Sequence, residues 1–353
     1  MIKYDPKLTE LMDERQYVIN EKGLDILIKP VPDGQPGQLD PREAHMMSKM
    51  GEFPAPQGEM DMAQVRDAMG FPNLNMNTKE IYTRYIEVPS DGRMVPVWVY
   101  WPRRPSGRTD RAGFIYLHGG GWFGGTPFAV ENVCRLLAER AGCVVFNVDY
   151  ALAPENRYPA AVNDCRSVLK YVYDNALKLG VDKTKLCIGG DSAGGNLAAS
   201  TAMWDRDTGA GMLRYQALIY PAATLAKVTP GYDDMPVLDI IAEQKKIIEP
   251  LMGLGKDDGM SDIYMGGSRS REDPYVSPAF GEKRGLCSAL VATAEYDGLR
   301  TQGEAYARQL SGAGVPVRAI RYRGVCHAFI DKLGYLPQTE NLVLEIARDV
   351  RGL

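Results

Sequence analysis

The chain has 353 residues, 45% of them hydrophobic and 24% charged, with 41 Lys and Arg against 45 Asp and Glu for a net charge of −4. That balance is ordinary for a globular domain and leaves no positive excess to recruit nucleic acid or an anionic membrane. The length suits one large α/β domain with an insertion, or two domains, and the six cysteines lack any C-x-x-C pair, so they read as buried thiols rather than a disulfide framework.

The N-terminal "MIKYDPKLTELMDERQY" mixes charged and apolar residues, unlike a signal peptide, and no apolar run approaches the ~18 residues of a membrane helix. A cytoplasmic protein without stable membrane association is expected. Residues 1–78 read as short helical patterns between turn-rich stretches such as "KPVPDGQPGQLDP". They are rich in methionine (Met46, Met47, Met50, Met60, Met62, Met69 and Met76), either as gap-filling side chains or as an adaptable apolar entrance to a site.

Regular patterning begins near residue 82. "YTRYIEV" and "VPVWVYW" alternate as strands about the turn "PSDGR", and "GFIYLH" is a short apolar strand. A helix over 132–142, a buried strand over 143–150, a helix over 160–180 and a strand over 185–190 follow, then a helix entered at "NLAASTAMW". Beyond the strand "YQALIYP" comes a polar, partly helical stretch to about 275. The strand "SALVATAEY", a helix over 301–312, the strand "VRAIRYR" and a helix over 337–351 complete the chain. Apolar strands alternating with helices predict a mostly parallel sheet covered on both faces, with reactive side chains at the carboxyl ends of its strands.

"GGDSAGG" places Ser192 in a G-x-S-x-G pattern between a strand and a helix, a sharp turn that lifts a hydroxyl above the sheet. A serine needs a base, and of the three histidines (His45, His118, His327) only His327 lies downstream, as the order serine, acid, histidine requires. Asp297, just past the strand 288–296, is the expected acid; Glu295 is the rival but stands on the strand itself, while Asp331 and Asp349 follow the histidine and break the order. "LHGGGWFGG" after an apolar strand offers backbone N–H groups to an oxyanion.

Together "HGGGW", "DYALAPENRYPAAVND", "GGDSAGGNLAA", "YDGLR" and "CHAF" resemble the bacterial hormone-sensitive-lipase-like (family IV) carboxylesterases of the α/β-hydrolase superfamily, over roughly residues 80–353. The resemblance implies an α/β-hydrolase fold with a helical cap. Residues 1–78 would be an N-terminal cap segment, 79–221 the first part of the core, 222–275 a cap insertion and 276–353 the second part of the core. It assigns the oxyanion N–H groups to Gly120, Gly121 and Ala193 and makes His118 a support of the loop; Trp122 and Phe123, which follow that loop, are expected beside the pocket. The resemblance implies a serine carboxylesterase, and a capped, methionine-lined entrance suits short-chain, uncharged esters; three scattered histidines without a cysteine pair leave no metal site, and acyl transfer by serine needs no cofactor. Family members are often dimers, which leaves a homodimer as one open oligomeric state. Acyl transfer or amide hydrolysis would use the same triad, while a non-catalytic receptor, as in plant gibberellin receptors of this fold, would lack the histidine present here. Removing residues 1–45 is expected to spare the sheet but impair selectivity or activity, because the cap would pack over the site. Three residues depart from the family pattern: Ala151 for arginine, Gly298 for proline and Ala328 for glycine.

Overall fold

The computed structural model describes residues 3–49, 61–67, 69–71, 73–104, 109–227, 231–232, 238, 240, 242–253, 259–267 and 269–353. After helix α1 (Lys7–Glu14), strands β1 (Tyr17–Glu21) and β2 (Leu24–Lys29) pair antiparallel about Lys22-Gly23, both at positive φ (55° and 81°). A two-residue turn of that kind matches the twist of a hairpin. Helices α2 (Pro41–Lys49) and α3 (Met62–Asp67) complete the segment.

The expected alternation then follows. β3 (Tyr82–Ser90), β4 (Arg93–Trp101), β5 (Arg111–Leu117), α4 (Glu131–Ala141), β6 (Val144–Val148), α5 (Ala160–Asp174), α6 (Ala176–Leu179) and β7 (Val181–Asp191) lead to α7 (Ala193–Asp207). Next come β8 (Leu213–Ile219), α8 (Ala242–Leu251), α9 (Gly259–Met265), β9 (Ser288–Tyr296), α10 (Arg300–Gly312), β10 (Val317–Cys326) and α11 (Pro337–Arg351). Among the described residues no helix is long and apolar enough to cross a membrane.

These strands form one ten-stranded sheet in the order β1-β2-β10-β9-β8-β7-β5-β6-β4-β3. The pairings from β2 through β10, β9, β8, β7 and β5 to β6 are parallel, and those at either edge are antiparallel. β5 is buried at every position because each face has its own helical layer. Its Ile115 and Leu117 pack in the layer that holds α5, α7 and α10, and its Phe114 and Tyr116 in the layer that holds α4 and α11. The fold is the α/β-hydrolase fold.

The N-terminal segment departs from expectation. β1 and β2 extend the sheet instead of capping it, with β2 in register on β10 from Ile26–Ala319 to Lys29–Tyr322. The Lys29 ammonium, with no exposure, pairs with Glu345 of α11 at 2.7 Å. Deleting residues 1–45 would remove β1 and β2, open the edge of β10 and take the Lys29 ammonium from Glu345, which would keep Arg318 and Arg348. The sheet would not be spared. Other N-terminal residues do meet the 222–275 stretch: Leu39 and Ile248 cluster with Tyr296 and Cys326, and the Leu39 N–H donates to Gln244 Oε1 at 2.8 Å. Both segments thus meet beside the carboxyl ends of β9 and β10.

Candidate active site

β7 runs straight into α7, and Ser192 at the junction has φ 54° and ψ −116°, a backbone state that a non-glycine residue keeps only when its surroundings impose it. Here they do. The Ser192 N–H donates to the Ile219 carbonyl at 2.9 Å, and its own carbonyl accepts from Asn196 (3.1 Å) and Ala222 (3.2 Å). Gly190 and Gly194 give the turn room, since a Cβ on either would sit 2.2 or 2.0 Å from the Leu117 carbonyl oxygen.

β10 delivers His327 and β9 delivers Asp297 to the same edge. His327 Nε2 lies 2.9 Å from Ser192 Oγ, and Nδ1 lies 2.8 Å from Asp297 Oδ2. Asp297 is fully buried and accepts the Leu299 N–H on its other oxygen at 2.8 Å. A carboxylate can only accept, so Nδ1 carries the imidazole proton and Nε2 is free to accept the serine's. Burial pulls the His327 pKa down, but the Asp297 charge and hydrogen bond, helped by Asp191, leave it above the ordinary 6.5. The rival Glu295 points elsewhere, accepting the Gly324 N–H at 2.9 Å and facing Arg323.

The other histidines stand outside this chain of bonds. His45 is exposed on α2. His118 is buried, its Nδ1 is 2.7 Å from the Gly119 carbonyl, and its ring stacks on Tyr150 at 4.4 Å. Burial pushes its pKa down to about 4, so it is neutral. The loop it opens is a tight turn in which the Gly120 carbonyl accepts from Phe123 (3.2 Å) and Gly124 (2.8 Å). Gly120 and Gly121 have φ of 120° and 61°, and among the described residues no backbone carbonyl takes their N–H groups. Ala193 opens α7, where an N–H has no partner within the helix.

A cavity of about 240 Å³ is lined by Ser192, His327, the 118–121 loop, Met69, Trp122 and Leu299, among others. Trp122 is 4% exposed and stacks on Tyr264 of α9 at 4.9 Å with 12° between the rings. Phe123 does not line it. The turn sends that side chain into the core, and its carbonyl accepts from Arg66 Nε at 2.6 Å. Of the methionines, Met69 reaches the cavity, Met46 is buried in the core, and Met62 and Met76 pack against it. Met47 Sδ lies 3.7 Å from Lys332 Nζ, and Met50 and Met60 fall outside the described residues.

Two carboxyl groups on the cavity wall were not foreseen. Burial pushes the Asp191 pKa up to about 6 despite a hydrogen bond from Tyr116 at 3.1 Å. Burial, then the charge of Asp191, raises that of Asp331 well above the usual range. Chain order excludes Asp331 as the triad acid but says nothing of its facing the pocket. Asp191 fills the first x of G-x-S-x-G, immediately before the serine, where the pattern itself names no residue type.

Two of the three departures have a structural answer, and the third carries a cost. The Ala151 N–H donates to Asp164 Oδ2 at 2.9 Å, and Arg93 reaches that carboxylate at 3.1 Å. The turn containing Gly298 is closed by the Leu299 bond and by Arg300 N–H on the Asp297 carbonyl at 3.0 Å. Ala328 sits at φ 62°, a conformation that costs a residue with a Cβ ~1–2 kcal/mol.

Residues 114–331 match the family model of the α/β hydrolase fold. The chain is 34% identical over 272 residues to an arylesterase of Saccharolobus solfataricus, covering 76% of this chain and 83% of that protein. It is 32% identical to an ethyl acetate hydrolase of Pseudomonas putida, covering 68% and 73%. A hyperthermophilic esterase from Pyrobaculum calidifontis superposes with a TM-score of 0.75 at 34% identity, over 89% of this chain and 98% of that one.

Proposed function

The chain belongs to the α/β-hydrolase fold family, within its hormone-sensitive-lipase-like carboxylesterases, and from that premise we propose that it cleaves small uncharged esters through an acyl-enzyme on Ser192. The observation that carries this reading is the unbroken chain Ser192–His327–Asp297 at 2.9 and 2.8 Å. Ser192 Oγ attacks the ester carbonyl carbon while its proton passes to His327 Nε2. The carbonyl π electrons move onto oxygen, which the N–H groups of Gly120, Gly121 and Ala193 receive; removing a single such donor in an acyl-transfer site costs ~2.7–4 kcal/mol. Collapse expels the alkoxide, which takes the proton from His327. Water, deprotonated by the same nitrogen, then attacks the acyl carbon and releases the acid and Ser192. Asp297 holds Nδ1–H throughout and stabilises the imidazolium.

The pH dependence follows from the direction of the His327 shift. The base must be neutral, and a pKa raised above 6.5 keeps it protonated to higher pH, so activity is lost as pH falls through the raised value. The acid limb of kcat/KM is expected to have its midpoint above 6.5, in a profile measured on p-nitrophenyl acetate from pH 5 to 9. A midpoint below that value would contradict the Asp297 contact.

The cavity, about 240 Å³, is smaller than the roughly 300–1,000 Å³ of a drug-sized ligand pocket. Trp122, backed by the Tyr264 ring, bounds it on one side. Acetyl to hexanoyl esters are therefore expected to be cleaved at least tenfold faster per kcat/KM than dodecanoyl or longer ones, with no activation at a lipid interface. A p-nitrophenyl ester series tests this, and faster turnover of long-chain emulsions would refute it. The name of the ethyl acetate hydrolase supports the small-ester reading.

A further inference from the structure

The turn that carries His327 is gripped by the N-terminal segment, and the mechanism above makes no use of that grip. The Asp40 N–H donates to the Gly324 carbonyl at 2.8 Å, and a Cβ on Gly324 would stand 2.8 Å from the Asp40 nitrogen. Asp40 Oδ2 accepts from Gln338 Nε2 at 2.9 Å on the far side of the turn. At the centre is Glu43 of α2, whose carboxylate has no solvent exposure. Its Oε1 accepts the Cys326 N–H at 3.2 Å, and both oxygens lie 2.7 Å from Lys332 Nζ. Cys326 immediately precedes His327 and Lys332 follows it by five residues, so one buried carboxylate ties both flanks of the turn.

A buried ion pair is a poor device for stability alone, because two well-packed apolar side chains often do as well or better. What apolar side chains cannot supply is an acceptor for the amide next to the histidine. We propose that Glu43 is a positioning residue for ester hydrolysis, its carboxylate fixing the Cys326 peptide and so the aim of His327 at Ser192. The role rests on His327 acting as the base, which His327→Ala tests on its own: loss of activity there leaves the Glu43 question open to separate measurement. A small misplacement of a catalytic group is enough to matter, since ~1 Å can cost about a hundredfold in rate.

Two double variants separate positioning from packing. Glu43→Gln/Lys332→Met removes both charges and keeps an acceptor for Cys326; Glu43→Leu/Lys332→Met removes the acceptor too. Each is measured for kcat and KM on p-nitrophenyl acetate, for melting temperature, and for the number of sites titrated by a fluorophosphonate, so that rates refer to folded sites. The glutamine pair is expected to keep kcat within about threefold of the unmodified enzyme. The leucine pair is expected to lose about ten- to a hundredfold in kcat, with KM within about twofold and a similar melting temperature. Glu43→Met/Lys332→Met carries the same expectation and replaces the leucine pair if that variant does not fold. Unchanged kcat in the apolar pair, or equal losses in the apolar and glutamine pairs, would overturn the proposal.

Discussion

Ser192→Ala is expected to lower kcat/KM for p-nitrophenyl acetate by about 10⁵- to 10⁶-fold while the protein stays folded. The loss follows from chemistry, since no other hydroxyl lies within reach of His327 Nε2 among the hydrogen bonds of the described residues. The fold should survive because the strained turn is held through the backbone of residue 192, not its side chain. The Ile219, Asn196 and Ala222 bonds all use main-chain atoms that alanine retains. Circular dichroism and steady-state kinetics on the purified variant check both halves. Activity above about 1% of the unmodified enzyme would place the nucleophile elsewhere.

Asp297→Asn is expected to cost about 10⁴-fold in kcat, in proportion to the loss seen when a triad acid becomes an amide. The amide can keep its oxygen on the Leu299 N–H, and its NH₂ then faces His327 Nδ1. That favours the tautomer with the proton on Nε2, which can no longer accept from serine. Glu295→Gln should cost less than about tenfold, because its bond to the Gly324 N–H can be made by a glutamine oxygen and its carboxylate does not touch the imidazole. The reverse ranking in kcat would hand the role of the acid to Glu295.

The parts of this molecule legible in the sequence were those where one residue type has few substitutes. Ser192 lies between glycines that admit no Cβ, and His327 is the one histidine downstream of it, just past a strand. The parallel core was visible because strands such as β5 and β6 are mostly apolar, as positions buried on both faces must be. The N-terminal hairpin was hidden for the opposite reason. "YVINE" is mostly exposed, so it carries little hydrophobic pattern, and β2 acquires its burial from β10, nearly three hundred residues away. Phe123 was misplaced because a glycine-rich turn fixes side-chain direction through backbone angles that composition does not reveal. Asp331 and Glu43 were invisible as site neighbours because their relation to His327 exists only once the chain has closed.

The central claim, an acyl-enzyme on a serine activated by His327, is tested most directly by mass. Unmodified enzyme, treated with a fluorophosphonate and digested, is expected to carry one adduct per chain, on the peptide containing Ser192, with activity falling in proportion to the label. His327→Ala should label far more slowly at the same serine. An adduct on any other residue, or full activity remaining after stoichiometric labelling of Ser192, would contradict the account.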